Sequence, residues 1–132
     1  MPVTTPPDPE QRLLIVDDEP TIRFALQDFF SAEGYEVDCA GCPGEAESLL
    51  QLRTYALMLV DLCLTGDRLD GLELIAKARQ LRESMPCVVL TAHGTPEAKA
   101  QAEALAVDAF LQKPVPLREL AALAGRLLAH AG

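Results

Sequence analysis

The sequence predicts an α/β fold: a doubly wound, open parallel sheet built from five strand–helix units, (βα)5. Two observations carry that expectation. Five short apolar runs alternate with longer stretches whose apolar residues recur at helical spacing. Three of the runs are apolar almost throughout, as parallel strands covered on both faces require. With 132 residues there is room for one domain and one hydrophobic core. No internal repeat or low-complexity block interrupts the alternation.

Four of the ten prolines lie in residues 1–11, expected to be a flexible tail ahead of a domain over 12–130. The first strand is Leu13–Val16. The helix after it carries Ile22, Ala25, Leu26, Phe29 and Phe30 on one stripe, with Gly34 at its C-terminal cap. Phe24 falls off that stripe, so an exposed ring is expected there. The second strand is Tyr35–Cys39, and after the Pro43-Gly44 break a short helix covers Glu45–Leu52. Ala56–Val60 is the third strand. Its helix is marked by Leu72, Ile75, Ala76 and Arg79 and ends before Pro86. Cys87–Leu90 is the fourth strand. Thr95-Pro96-Glu97 then reads as an N-cap with proline in the first turn, opening an alanine-rich helix to about Ala106. Ala109–Leu111 is the last strand and Leu117–Ala129 the last helix.

Composition narrows the function. A formal net charge of −9 argues against binding a phosphate backbone, which needs a positive footprint. No apolar run approaches the length of a membrane span. The start, MPVTTPPDPE, lacks the regions of a signal peptide, so the cytoplasm is expected. In that compartment Cys39, Cys42, Cys63 and Cys87 are expected as thiols rather than disulfides. Cys39 and Cys42 have C-x-x-C spacing, but no second pair completes a metal set.

In an open parallel sheet the functional crevice lies beyond the carboxyl ends of the strands. The first strand delivers Asp17 and Asp18 there, the third Asp61, the fourth Thr91 and the fifth Lys113. The second strand delivers nothing chemically pointed and is expected at an edge. Three converging carboxylates raise one another's pKa unless neutralised. Lys113 supplies one positive charge, and a divalent cation with hard oxygen ligands, Mg²⁺ or Mn²⁺, supplies the rest. Asp61 can then act as a nucleophile toward phosphorus, with Thr91 donating to the phosphoryl group and Lys113 stabilising its charge.

In that order LLIVDDEP, LMLVDLCL, DGLEL, VVLTAHG and AFLQKP resemble the motifs of receiver domains of two-component response regulators, over about residues 12–130. The resemblance implies a flavodoxin-like sheet of strand order 2-1-3-4-5. It implies that Asp61 accepts a phosphoryl group from a histidine kinase or histidine phosphotransfer protein. Metal ligands would be Asp18, Asp61 and the backbone carbonyl of Cys63, with Asp17 acting through metal-bound water. Thr91 and Phe110 match the family's switch pair, and Lys113–Pro114 would be a cis peptide. The output would be a changed surface on the fourth helix, fifth strand and fifth helix, read by a downstream protein, an output domain or a second copy in a phosphorylation-linked homodimer. Direct nucleic-acid or membrane binding by this domain is not expected. Nor is turnover as an enzyme, beyond assisting its own phosphorylation and dephosphorylation. The chain as it stands fits a single-domain regulator or a receiver cut from a longer protein.

Two departures from the family pattern lie around the crevice. Thr65 stands where a proline is common, and the segment before Asp70-Gly71 is about two residues longer than usual. Cys63 and His93 flank the crevice and bear on how water reaches an acyl phosphate. Two other functions compete. A small-molecule phosphatase using Asp61 would need a D-x-D pattern, and Cys63 occupies the second acid's place. A phosphorylation-independent scaffold would have no use for the acids, Thr91 and Lys113.

Overall fold

The computed structural model describes residues 12–64, 70–92 and 94–131. The proposed tail, the Thr65 departure and His93 lie outside the described residues. Five strands, β1 (Arg12–Val16), β2 (Glu36–Ala40), β3 (Leu57–Val60), β4 (Cys87–Thr91) and β5 (Ala109–Gln112), alternate with five helices. The helices are α1 (Pro20–Ala32), α2 (Pro43–Leu52), α3 (Asp70–Leu81), α4 (Pro96–Ala104) and α5 (Leu117–Ala131). All strands are parallel, in the order β2-β1-β3-β4-β5, so the sheet is the flavodoxin-like one.

The alternation of side chains across each strand separates two apolar layers. Leu14, Val16, Met58, Val60, Cys87 and Val89 face one way and pack with residues of α2, α3 and α4. Leu13, Ile15, Leu57, Leu59, Val88 and Leu90 face the other way, against α1 and α5. β1, β3 and β4 are therefore buried on both faces, which is why their sequences are nearly unbroken apolar runs. β2 stands at an edge and alternates Val37 and Cys39 with Glu36 and Asp38. Phe30, the largest fully buried side chain, anchors α1 and meets Phe29 and Tyr35 edge-on. Truncating a ring so enclosed costs about 3–5 kcal/mol.

Three helix boundaries differ from the sequence reading, α5 by running on to Ala131 rather than Ala129. α2 begins at Pro43, not Glu45, with Cys42 at the N-cap. Proline is preorganised for the first helical turn and starts this helix rather than breaking it. α4 ends at Ala104, because Ala106 takes a left-handed φ of 61° and turns the chain toward β5. The expected caps are present elsewhere. The Thr95 side chain accepts from the Ala98 amide at 3.1 Å, and Gly34 closes α1 with a φ of 100°. Phe24 is exposed, at 72%.

Candidate functional site

The crevice is assembled by strands that stop at slightly different heights. The Asp17 amide donates to Ala40 O at 3.1 Å and the Asp61 amide to Val16 O at 2.9 Å, so each acid sits one residue past its strand. The Lys113 amide donates to Thr91 O at 2.9 Å, placing the lysine just beyond β5. Its side chain reaches back across the sheet. Lys113 Nζ donates to Asp17 Oδ2 at 2.6 Å and to Asp61 Oδ2 at 3.0 Å. One ammonium thus bridges carboxylates from β1 and β3. Burial works to lower the pKa of Lys113, but the hydrogen bonds and charges of Asp17 and Asp61 outweigh it and hold the value above the ordinary lysine range. The ammonium therefore stays charged at neutral pH.

The second oxygen of each acid is held by the backbone. Asp17 Oδ1 accepts from the Glu19 amide at 2.9 Å, and Asp61 Oδ1 accepts from the Cys63 amide at 3.1 Å. Both aspartates are buried, whereas Asp18 and Glu19 are exposed. One carboxylate oxygen each from Asp17, Asp18 and Glu19 lie within 4.8 Å of one another. The sequence reading groups Asp17 and Asp18 with Asp61 and gives Glu19 no part in the crevice. Glu19 is the N-cap residue of α1, and its carboxylate also belongs to the acidic cluster.

Thr91 ends β4 and is fully buried. Phe110, on the adjacent strand, pairs with Val89 and is half-buried against the α2–α4 layer. The ring of Phe110 crowds Gly94: a Cβ there would lie 3.0 Å from Phe110 Cε1. The Lys113–Pro114 peptide is cis, as the resemblance implies.

Two site-shaping residues carry more than the sequence reading gave them. In the sequence the Asp70-Gly71 dipeptide is only the start of the DGLEL motif. Asp70 is buried and its Oδ1 accepts from the Leu64 amide at 2.8 Å, tying α3 to the segment after Asp61. A Cβ on Gly71 would stand 2.3 Å from Asp61 O, so only glycine lets α3 approach the backbone of Asp61. An acid–glycine pair opening a helix was the visible signal. Its reason, a backbone contact across the crevice, was not.

The donor set decides which cation the crevice fits. Carboxylate oxygens line it, and neither imidazole nor thiolate belongs to the acidic group among the described residues. Such hard donors fit Mg²⁺ or Mn²⁺ and not a soft-ligand metal.

A doubly wound sheet with acids and a lysine beyond its carboxyl ends defines a class of α/β modules that work at the strand ends. The comparisons make the family definite. The model of the response regulator receiver domain matches residues 13–124. Transcriptional regulatory protein PmrA of Pectobacterium parmentieri is 36% identical over 84% of this chain and 49% of its own length. Response regulator Rre1 of Synechocystis is 38% identical over 89% of this chain and 52% of its own. The chain thus spans about half the length of these curated relatives. A response regulator receiver domain protein (CheY-like) from Methanospirillum hungatei superposes with a TM-score of 0.87 at 32% identity, covering 91% of this chain and 94% of that one. A response regulator from Burkholderia pseudomallei with a phosphorylated aspartic acid, calcium ion and citrate gives 0.79 at 27% identity, covering 92% of this chain and 73% of that one. The chain belongs to the response regulator receiver domain family, the signalling modules of two-component systems. No helix among the described residues is long and apolar enough to cross a membrane.

Proposed function

We propose that Asp61 accepts a phosphoryl group from a histidine kinase or histidine phosphotransfer protein. The observation that carries this reading is the Lys113 ammonium shared by Asp17 and Asp61, which binds β1, β3 and β5 into one reactive crevice. A carboxylate oxygen of Asp61 attacks phosphorus while the bond to the donor's imidazole nitrogen breaks, and the imidazole leaves with its electron pair and takes up a proton. The Cys63 amide and Lys113 hold the two Asp61 oxygens, so the carboxylate is oriented before the donor arrives. Asp18, Asp61 and the carbonyl of Cys63 would hold the cation, with Asp17 behind a water. When bound, Mg²⁺ or Mn²⁺ supplies charge stabilisation to the transferring phosphoryl oxygens. Lys113 would add its own ammonium charge to the same stabilisation.

The phosphoryl group carries about −2 of charge and replaces the −1 of the Asp61 carboxylate, so the crevice gains about −1. Thr91 donates its hydroxyl toward the new oxygens, and the Phe110 ring on the neighbouring strand follows inward. The α4–β5–α5 surface is then the readout. Its reader is an output domain, a partner protein or a second copy, consistent with relatives twice as long as this chain. The receiver extends over residues 12–130, works in the cytoplasm, contacts neither nucleic acid nor membrane itself and assists its own dephosphorylation. The phosphorylated aspartic acid and calcium ion in the Burkholderia pseudomallei relative support both the acceptor chemistry and the cation site.

The test is incubation with Mg²⁺ and acetyl phosphate followed by intact mass. One added phosphoryl group is expected, absent in Asp61→Ala and absent in EDTA. A wild-type chain that stays unmodified, or an Asp61→Ala chain that still gains the group, overturns the reading.

A further inference from the structure

The β1–β2 ladder ends at Val16 and Ala40, with the Asp17 amide on Ala40 O as its final rung. The next partner on β2 is missing, because the chain turns at Gly41 and Cys42 caps α2. The Asp17 carbonyl is taken up by a side chain. Arg23 NH1, from the first turns of α1, donates to it at 2.8 Å. An independent feature on the other side of the guanidinium shows that room was left for it. A Cβ on Gly41 would sit 2.8 Å from Arg23 NH1 and 3.2 Å from its Cζ. Gly41 has no left-handed backbone to justify its identity. Its amide is held by Glu45 Oε1 at 2.8 Å, which fixes the turn against α2.

We propose that Arg23 is a positioning residue for the acidic crevice and that Gly41 is glycine to seat its guanidinium. The inference rests on the metal-binding reading above. Arg23 holds the main chain of Asp17 from the β2 side, while Glu19 N and Lys113 hold its carboxylate from the other. With both ends fixed, the direction in which Asp17, Asp18 and Glu19 project no longer depends on their mutual repulsion.

The test measures Mn²⁺ affinity by the electron paramagnetic resonance of the free ion, together with melting temperature in EDTA. The proteins are wild type, Arg23→Ala, Arg23→Lys, Gly41→Ala and the Arg23→Ala/Gly41→Ala pair. The atom a new Cβ meets at Gly41 is the far end of a flexible side chain, so Gly41→Ala displaces the guanidinium without unfolding the domain. Arg23→Ala and Gly41→Ala are each expected to weaken Mn²⁺ about tenfold, as loss of a group supporting metal ligands does. The pair is expected to be no weaker than either single change, since both remove one contact. Arg23→Lys should recover part of the affinity. Unchanged affinity in either single variant, even with a lower melting temperature, overturns the positioning role, and so do additive losses in the pair. A wild-type protein that binds no Mn²⁺ overturns the metal reading itself and this inference with it, an outcome distinct from equal binding by wild type and variants.

Discussion

The two rims of the sheet treat charge in opposite ways. At the amino ends of the strands, polar groups find partners within the chain. Arg12 pairs with Glu36 at 3.2 Å, Arg53 spans Glu36 and Asp38, and the Tyr55 hydroxyl donates to Asp38 Oδ2 at 2.5 Å. Arg79 donates to Met85 O, to Leu105 O at 2.9 Å and to Ala106 O at 3.0 Å, tying α3 to the segment before β4 and to the segment between α4 and β5. Asp108 accepts from the Cys87 amide at 2.9 Å. At the carboxyl ends Asp17 and Asp61 share the single ammonium of Lys113, and the exposed Asp18 and Glu19 add further carboxylates beside Asp17. The first rim is closed and stabilises; the second keeps an excess of anion that suits a divalent cation and a phosphoryl donor. The difference teaches where stability and chemistry were placed in one small domain.

That contrast can be broken at three points. The largest effect is expected from Arg79→Ala, which strips a charged donor from three carbonyls and should lower unfolding free energy by about 2 kcal/mol in urea. Mn²⁺ affinity should stay within about twofold of wild type. A large change in affinity would show that the rims are not separate.

Tyr55→Phe should cost about 1.5 kcal/mol at neutral pH through the lost hydrogen bond to a carboxylate. It also tests a pH dependence. Burial first, then the hydrogen bond and charge of Asp38, push the Tyr55 pKa upward. The folded state therefore favours the neutral phenol. That contribution is complete below the unfolded value of about 10 and declines as pH rises past it. Chemical denaturation compared at pH 8 and pH 11 should show a smaller loss in Tyr55→Phe than in wild type. Equal losses would remove the phenol from the account.

The smallest effect is expected from Asp18→Asn, at the exposed side of the acidic cluster. Removing one of several like charges should raise the melting temperature in EDTA by about 2 °C while blunting the stabilisation that Mg²⁺ gives. A drop in EDTA would mean that the cluster is not under mutual repulsion.

Much of the fold was legible because burial on both faces leaves a mark that needs no partner to read. LLIV, LMLV and CVVL are apolar throughout for that reason, and their following residues necessarily project from the carboxyl end. Asp17, Asp61 and Thr91 could therefore be named in advance at the crevice, and Lys113 follows from the fifth run. Helix limits were less legible. Pro43 opens α2 where proline more often signals a stop, and Ala106 takes a conformation that alanine seldom adopts. Gly41 gave no signal in the sequence and Gly71 gave one without its reason, since what makes each necessary is an atom from another element.

The sequence by itself determined the strand–helix alternation, the apolar layers and which residues stand at strand ends, because periodicity and composition are local properties of the chain. Tertiary structure alone decided that Glu19 joins the acidic cluster, that Arg23 takes the place of a missing ladder partner and that Lys113 spans two acids. The first two depend on how the turn between β1 and α1 orients its side chains, the third on a distance between segments far apart in the chain, and none leaves a periodic trace in the sequence.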